Sequence, residues 1–150
     1  MGDTRPEVAP TPVDIEGRTV RVAGRETYVR EAGSGPAVVL LHGSGPGTTG
    51  AAWEPLMAAM APDFRVIAPD FIGFGRSSLL GGSESGGEHP YGRHVWTAQV
   101  LELLDELTLD RCAVVGNSMG GAIALSVAHA RPQTVSRLVG IGTLGLYMEL

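Results

Sequence analysis

The sequence has little or none of three features that mark large classes of proteins: cysteine, an excess of basic residues and long hydrophobic runs. Its one cysteine, Cys112, excludes an internal disulfide and suits a reducing compartment, and no metal-ligand spacing surrounds it. The net charge of −5 gives no general attraction for a phosphate backbone, which argues against nucleic acid as a partner. No apolar run approaches the length of a membrane span.

The N-terminal segment also lacks targeting signals. Residues 1–12 are polar and proline-rich, with no apolar h-region, and Pro6 occupies the Ser/Thr position of the myristoylation pattern. We therefore predict a soluble, cytoplasmic protein. A length of 150 residues suits one domain or part of a larger one, and 43% hydrophobic residues suffice for a core. Length and composition leave the oligomeric state open, including a homo-oligomer.

Two kinds of strand pattern follow each other along the chain. Residues 18–22 and 26–31 alternate polar and apolar side chains, which predicts an antiparallel opening pair. Later segments are continuously apolar, apart from a leading arginine in two of them (Arg65 and Arg137), as in parallel sheets covered by helices on both faces. These are 37–41, 65–68, 113–115 and 137–141.

Helical patterns lie between the apolar strands, at 51–61, 96–107 and 119–130. In the second, the polar residues Gln99, Glu102 and Glu106 fall mostly off the apolar stripe. Alternating strands and helices predict an α/β fold with a mostly parallel sheet, whose ligands bind beyond the carboxyl ends of the strands. The Gly-, Ser- and Glu-rich segment 79–92 is expected to be a flexible surface loop.

The segment G-N-S-M-G at 116–120 fits G-x-S-x-G between an apolar strand and an alanine-rich helix. This is the pattern of a nucleophile elbow, in which a strained, tight turn projects the Ser118 hydroxyl into a pocket. Side chains at Gly116 and Gly120 would collide in such a turn. The Met119 N–H, at the positive end of the helix, can stabilise an oxyanion.

A second glycine-rich segment, H-G-S-G-P-G at 42–47, follows the strand at 37–41. We interpret it as the loop that supplies a second oxyanion donor, the backbone N–H of Ser44, with Gly43 and Gly45 as near alternatives. We reject His42 as the catalytic base. A phosphate loop would need a lysine, and a dinucleotide fingerprint would need G-x-G-x-x-G opening a helix.

A third segment, P-D-F-I-G-F-G-R-S at 69–77, follows the strand at 65–68. Asp70 at a strand end could be a triad acid, but we favour a role in tying down the turn. Arg76 and Ser77 are expected to brace the glycine loops.

Together, H-G at 42–43, D-x-x-G-x-G-x-S at 70–77 and G-x-S-x-G at 116–120 resemble the α/β-hydrolase family. Within it, H-G-S-G-P-G and G-N-S-M-G-G look like the meta-cleavage product hydrolases, which hydrolyse a carbon–carbon bond in ring-fission products of the 2-hydroxy-6-oxo-dienoate type. The resemblance implies a small-molecule substrate and requires neither cofactor nor metal. It implies Ser118 as nucleophile, Ser44 and Met119 as backbone oxyanion donors, and a substrate pocket at Gly43, Gly45 and Asn117.

One segment departs from that subgroup. Residues 48–54, T-T-G-A-A-W-E, lack the asparagine that the subgroup often carries shortly after the proline-glycine pair. The alternatives of an esterase or another small-molecule serine hydrolase therefore stay open, as does a non-catalytic scaffold.

The resemblance also implies a triad aspartate and histidine that follow a lid beyond position 150. Residues 1–16 are then a flexible lead-in, and 17–150 the amino-terminal portion of one hydrolase domain, with 135–141 as an exposed edge strand. His129 is expected to cap or solvate its helix, and His89 and His94 to lie in the flexible loop. Because loss of the base in a serine hydrolase costs on the order of 10⁶ in kcat, we expect the 150-residue chain to show little or no turnover.

Overall fold

The computed structural model describes residues 13–22, 24–80 and 91–145. The strands are β1 (Glu16–Val22), β2 (Arg25–Ala32), β3 (Ala37–Leu41), β4 (Arg65–Pro69), β5 (Cys112–Asn117) and β6 (Val135–Ile141). They form one sheet in the order β1-β2-β4-β3-β5-β6. The helices are a 3-10 turn at Gly50–Trp53, α1 (Glu54–Met60), α2 (Arg93–Glu106) and α3 (Met119–Ala130).

The predicted mostly parallel sheet with an antiparallel opening pair is confirmed. β1 pairs antiparallel with β2, with Val20 opposite Thr27, and β2 pairs antiparallel with β4. β4, β3, β5 and β6 are parallel neighbours. All five residues of β3 are buried, as the unbroken apolar run predicts.

The helices cover the two faces of the sheet unequally. α2 and α3 contribute Val100, Leu103 and Ile123 to a core on one face. On the other face α1 packs through Met57 over β3 and β4. Cys112 is buried at the start of β5, and burial raises the pKa of its thiol. In the described ranges no helix is long and apolar enough to cross a membrane.

Two helices differ from their predicted extents. The predicted helix at 51–61 is a 3-10 turn followed by α1, because Pro55 suits the first turn of a new helix and Thr49 caps the preceding one. α2 begins at Arg93, three residues before the predicted start. The expectation that His94 lies in the flexible loop is therefore wrong, since this residue is exposed in the first turn of α2. His89 and positions 81–90 of that loop lie outside the described residues.

Gln99 was expected to lie mostly off the apolar stripe, but it is only 2% exposed. Its Oε1 accepts from the Ile72 N–H at 2.9 Å, and its Nε2 donates to Thr27 Oγ1 and to the Asp70 carbonyl. Because the Gln99 amide has all these partners, its burial costs little free energy. Its hydrogen bonds connect α2 to β2 and to the segment after β4.

β6 leaves an apolar surface on the α1 side of the sheet. Val139 lies opposite Val115 of β5, so the two share a face, and Ile141 follows two residues later on the same side. Val139 is 50% exposed and Ile141 is 47% exposed. Such a strand favours association between chains.

We expect replacement of Val139 and Ile141 by threonine to reduce aggregation of the chain. Each is half exposed, so the change in the free energy of unfolding should stay within about 0.5 kcal/mol. Light scattering against protein concentration measures the effect. Val114→Thr, on the opposite, buried face of β5, is the control and should cost about 1–3 kcal/mol. Unchanged aggregation of the double variant would contradict an association surface at β6.

Candidate active site

Ser118 lies between the last residue of β5 and the first residue of α3, at the carboxyl edge of the sheet. Its φ of 52° and ψ of −115° place a non-glycine residue in a strained backbone region. Among the described residues, the other non-glycine residue with positive φ is Thr108. The sharp strand-to-helix turn expected from G-x-S-x-G is therefore present in the structure.

Backbone hydrogen bonds hold Ser118 in this conformation. Its N–H donates to the Ile141 carbonyl at 2.8 Å, and its carbonyl accepts from the N–H groups of Gly121 at 3.0 Å and Leu144 at 3.1 Å. These partners belong to β6, to the first turn of α3 and to the segment after β6. The turn is thus fixed from three directions, and none of these bonds uses the serine hydroxyl.

The glycines of the turn are required by close backbone approach. A Cβ at Gly116 would overlap the carbonyl oxygen of Gly120, as expected from the sequence. A Cβ at Gly120 would overlap the carbonyl oxygen of Leu41 at the end of β3. The second glycine therefore allows α3 to start directly against β3, a contact that the motif alone does not reveal.

The loop at 42–47 meets the serine turn at this edge. Leu41 of β3 pairs in register with Gly116 of β5, so both loops leave neighbouring strands at the same level. A Cβ at Gly43 would lie 3.5 Å from the Ser118 Cβ and 3.5 Å from the Asn117 carbonyl oxygen. The structure thus brings Gly43 together with Asn117 and Ser118. Their functional roles stay predictions.

His42 has both ring nitrogens engaged. Its Nε2 accepts from the Phe71 N–H at 3.0 Å, and its Nδ1 lies 2.7 Å from the Gly43 carbonyl oxygen. Phe71 and Phe74 pack against the ring at centroid distances of 4.6 and 5.2 Å. Burial lowers the pKa of His42, so the ring is neutral near pH 7. This environment supports the rejection of His42 as the base.

Asp70 is fully buried and accepts from three donors. Oδ1 accepts from Arg30 Nη1 and from the Gly50 N–H, both at 2.8 Å, and Oδ2 accepts from the Arg76 N–H at 3.0 Å. The carboxylate thus joins β2, the 3-10 turn and the 70–77 turn. This arrangement supports a structural role for Asp70.

Ser77 and Arg76 brace the Asp70 turn rather than the two glycine loops. Ser77 Oγ donates to the Asp70 carbonyl at 2.6 Å and accepts from the Tyr28 N–H at 2.9 Å. The Arg76 guanidinium donates to the Tyr28 hydroxyl at 2.8 Å and packs over its ring. The expected contact of these side chains with the glycine loops is therefore replaced by contact with β2.

Sequence reasoning did not find the partners that support the site. Arg30, Gly50 and Gln99 hold the Asp70 turn, and Trp96 donates its Nε1–H to the Ile72 carbonyl at 2.8 Å. No local pattern marks them, because each reaches its partner across 20 or more positions of the chain. The part of the chain that the structure describes holds no cluster of three His, Cys, Asp or Glu side chains suited to a metal ion.

The chain matches known proteins over most of its length. A family model described as alpha/beta hydrolase fold matches residues 36–149. The 2-hydroxy-6-oxo-2,4-heptadienoate hydrolase of Pseudomonas putida is 44% identical over 135 residues, covering 89% of the chain and 47% of that protein. The 2-hydroxymuconate semialdehyde hydrolase of a Pseudomonas species is 40% identical, covering 87% of the chain and 44% of that protein.

A solved structure agrees with these sequence matches. The 2-hydroxy-6-oxo-6-phenylhexa-2,4-dienoate hydrolase from Rhodococcus sp. strain RHA1 superposes with a TM-score of 0.80 and 32% identity, covering 93% of the chain and 50% of that structure. The chain spans about half the length of the relatives it matches. The resemblance to meta-cleavage product hydrolases predicted from the motifs is confirmed. The chain belongs to the alpha/beta hydrolase fold family.

Proposed function

We propose that this chain carries the nucleophile and oxyanion site of a serine hydrolase that cleaves a carbon–carbon bond in a 2-hydroxy-6-oxo-dienoate. The observation that carries the proposal is the strained Ser118 turn beside Gly43, at the carboxyl edge of β3 and β5. Strain of this kind persists where surrounding structure holds it, and it clusters at active sites. The cytoplasmic location predicted from the sequence is part of this proposal.

In this proposal two backbone N–H groups stabilise the charge that develops on the substrate oxygen. Met119 is the first residue of α3, so its N–H has no carbonyl partner within the helix. The Ser44 N–H follows Gly43, which lies against Ser118. Donors fixed in advance of the reaction stabilise an oxyanion at no reorganisation cost, and removal of one typically costs about 10²–10³ in kcat.

The base and acid are assigned to the half of the relatives that this chain does not span. His42 is engaged at both nitrogens, and His94 and His129 are exposed on α2 and α3. In this fold the acid and the histidine follow the serine in chain order. The histidine takes the Ser118 proton, or activates water in its place.

The overall reaction is a hydrolysis. The bond between the keto carbon and the neighbouring dienoate carbon breaks, water gives its hydroxyl group to the keto carbon, and a proton goes to the departing carbon. Asn117, with Gly43 and Gly45, would line the substrate pocket beside Ser118. The same nucleophile and oxyanion donors would serve an ester, which makes ester hydrolysis the rival outcome of the test.

A chimera tests the proposal. It joins residues 1–145 of this chain to the remaining half of the P. putida relative, which is 44% identical over the shared region. Decay of the dienoate's visible absorbance is compared with release of p-nitrophenol from an ester. We expect kcat/KM for the dienoate to exceed that for the ester by at least ~10²-fold. A preference for the ester would assign the site to the esterase alternative.

The 150-residue chain without the added half should show no measurable turnover of either substrate, since it would lack the base and acid. The same assays on the unmodified chain test this. Turnover that disappears in Ser118→Ala would show that the described half already holds a working base. A folded chimera inactive on both substrates would favour the non-catalytic scaffold.

A further inference from the structure

The hydrogen bonds of His42 determine where its proton lies. The Phe71 N–H can only donate, so the Nε2 that faces it at 3.0 Å must be the unprotonated acceptor. The ring is neutral at pH 7, so the single proton lies on Nδ1, which donates to the Gly43 carbonyl at 2.7 Å. The ring is 1% exposed and wedged against Phe71 and Phe74, so it has no freedom to flip.

The carbonyl that accepts from His42 belongs to the peptide group that ends in the Ser44 N–H. A trans peptide group is planar, with its C=O and N–H pointing in opposite directions. The peptide bonds of the described residues are trans. A Gly43 carbonyl aimed at His42 Nδ1 therefore aims the Ser44 N–H away from the ring. Glycine does little to fix this plane by itself, because it lacks a Cβ.

We propose that His42 is a positioning residue that fixes the direction of the Ser44 N–H through the Gly43 carbonyl, and that it does so only as the neutral Nδ1–H tautomer. This inference rests on the proposed function, in which the Ser44 N–H is an oxyanion donor. The 70–77 turn takes part in it, because the Phe71 N–H selects the tautomer.

A low pH is expected to disturb this arrangement by protonating His42. Protonation of Nε2 would place its N–H against the Phe71 N–H and break that bond. Burial lowers the pKa of His42, and the positive charge of Arg30 lowers it further. The hydrogen bond to Gly43 and the negative charge of Asp70 raise it, but the pKa remains below the usual histidine value of 6.5. A depressed histidine pKa means that the unfolded chain takes up the proton first. The contribution of neutral His42 to the free energy of unfolding is therefore complete above about pH 6.5, and it shrinks as the pH falls toward the pKa of the folded state.

The test is NMR spectroscopy of the 150-residue chain. Side-chain ¹⁵N shifts of His42 report the tautomer, and the residual dipolar coupling of the Ser44 N–H reports its direction. Two variants of His42 distinguish the hydrogen bond to Gly43 from the hydrogen bond to Phe71. In His42→Asn the side-chain amide nitrogen replaces Nδ1 and can still donate to Gly43. In His42→Gln the side chain can accept from Phe71 but leaves Gly43 without its donor.

We expect the Ser44 coupling in His42→Asn to match that of the unmodified chain and the coupling in His42→Gln to change. In the chimera, His42→Gln should lower kcat about 10–10²-fold with little change in KM, and His42→Asn should recover most of it. An Nε2–H tautomer in the unmodified chain, read without any variant, would overturn the proposal. So would an unchanged Ser44 coupling in folded His42→Gln. Because these couplings need no turnover, an inactive chimera with the expected couplings would count against the proposed function alone.

Discussion

Replacing Ser118 by alanine in the chimera is expected to lower kcat on the dienoate on the order of 10⁴-fold or more, as loss of a nucleophile does in other serine hydrolases. The substitution removes one oxygen and leaves the backbone bonds to Ile141, Gly121 and Leu144 in place. The fold and the affinity for substrate should therefore change little. Steady-state kinetics, with the melting temperature measured alongside, checks both parts.

Ser126→Ala is the matched control for this substitution. Ser126 lies on α3 two turns beyond the elbow, and its hydroxyl donates to the Ala122 carbonyl at 3.1 Å. The control should keep kcat within about threefold, as expected for a site away from the chemistry. Retention of kcat in Ser118→Ala, with the dienoate still consumed, would remove the serine from the reaction.

The Ser118→Gly variant distinguishes the effect of backbone strain on stability from the effect of losing the hydroxyl. Because φ is 52° at this position, glycine should be more stable there than alanine by about 1 kcal/mol, although both variants lack the hydroxyl. Chemical denaturation of the two variants of the 150-residue chain measures this difference. Equal stability would indicate that the turn stores no strain.

Replacing Asp70 by alanine is expected to lower the free energy of unfolding by about 3–5 kcal/mol, because it breaks a buried ion pair and leaves the largely buried Arg30 guanidinium with the exposed Glu54 carboxylate as its ion-pair partner. The Gly50 and Arg76 N–H groups lose their acceptor as well. Against a typical total of about 5–15 kcal/mol, this loss leaves the chain marginal. Urea unfolding followed by circular dichroism measures it.

Asp105→Ala is the control for Asp70. Asp105 pairs with Arg131 at 2.9 Å on the surface, and that bond lowers the pKa of the carboxyl, but both side chains are exposed. The Asp105→Ala substitution should therefore change the free energy of unfolding only slightly. In the chimera, an Asp70→Asn variant that stays stable but loses most of its kcat would contradict the structural role and point to a triad acid.

Hydrophobic patterning was sufficient to predict the fold class, because the continuous runs in β3, β4 and β5 can be satisfied only by a sheet covered on both faces. Helix details were harder, since they depend on contacts distant in the chain. Gln99 looks like a surface residue by its type, but partners on β2 and after β4 allow its burial. Pattern alone cannot distinguish a satisfied buried amide from a solvated one.

For the candidate site, too, the sequence predicted local features but not contacts between distant residues. G-x-S-x-G marks a local turn whose geometry depends on adjacent residues, so the position of Ser118 could be anticipated. The close approach of Gly120 to Leu41 depends on strand order, which no local motif contains. The hydrogen bond from the Phe71 N–H to His42 likewise joins residues 29 positions apart, so the environment of this histidine became visible only in the fold.

The central claim is that the Ser118 oxygen is the group that reacts, and covalent labelling tests it most directly. The chimera is treated with a fluorophosphonate, digested with trypsin and mapped by mass spectrometry. Ser118 falls in the tryptic peptide 112–137, whereas Ser44 falls in 31–65. The account predicts one phosphonyl group on Ser118, with turnover of the dienoate lost in proportion. A label on another residue, or full labelling of Ser118 with turnover unchanged, would contradict it.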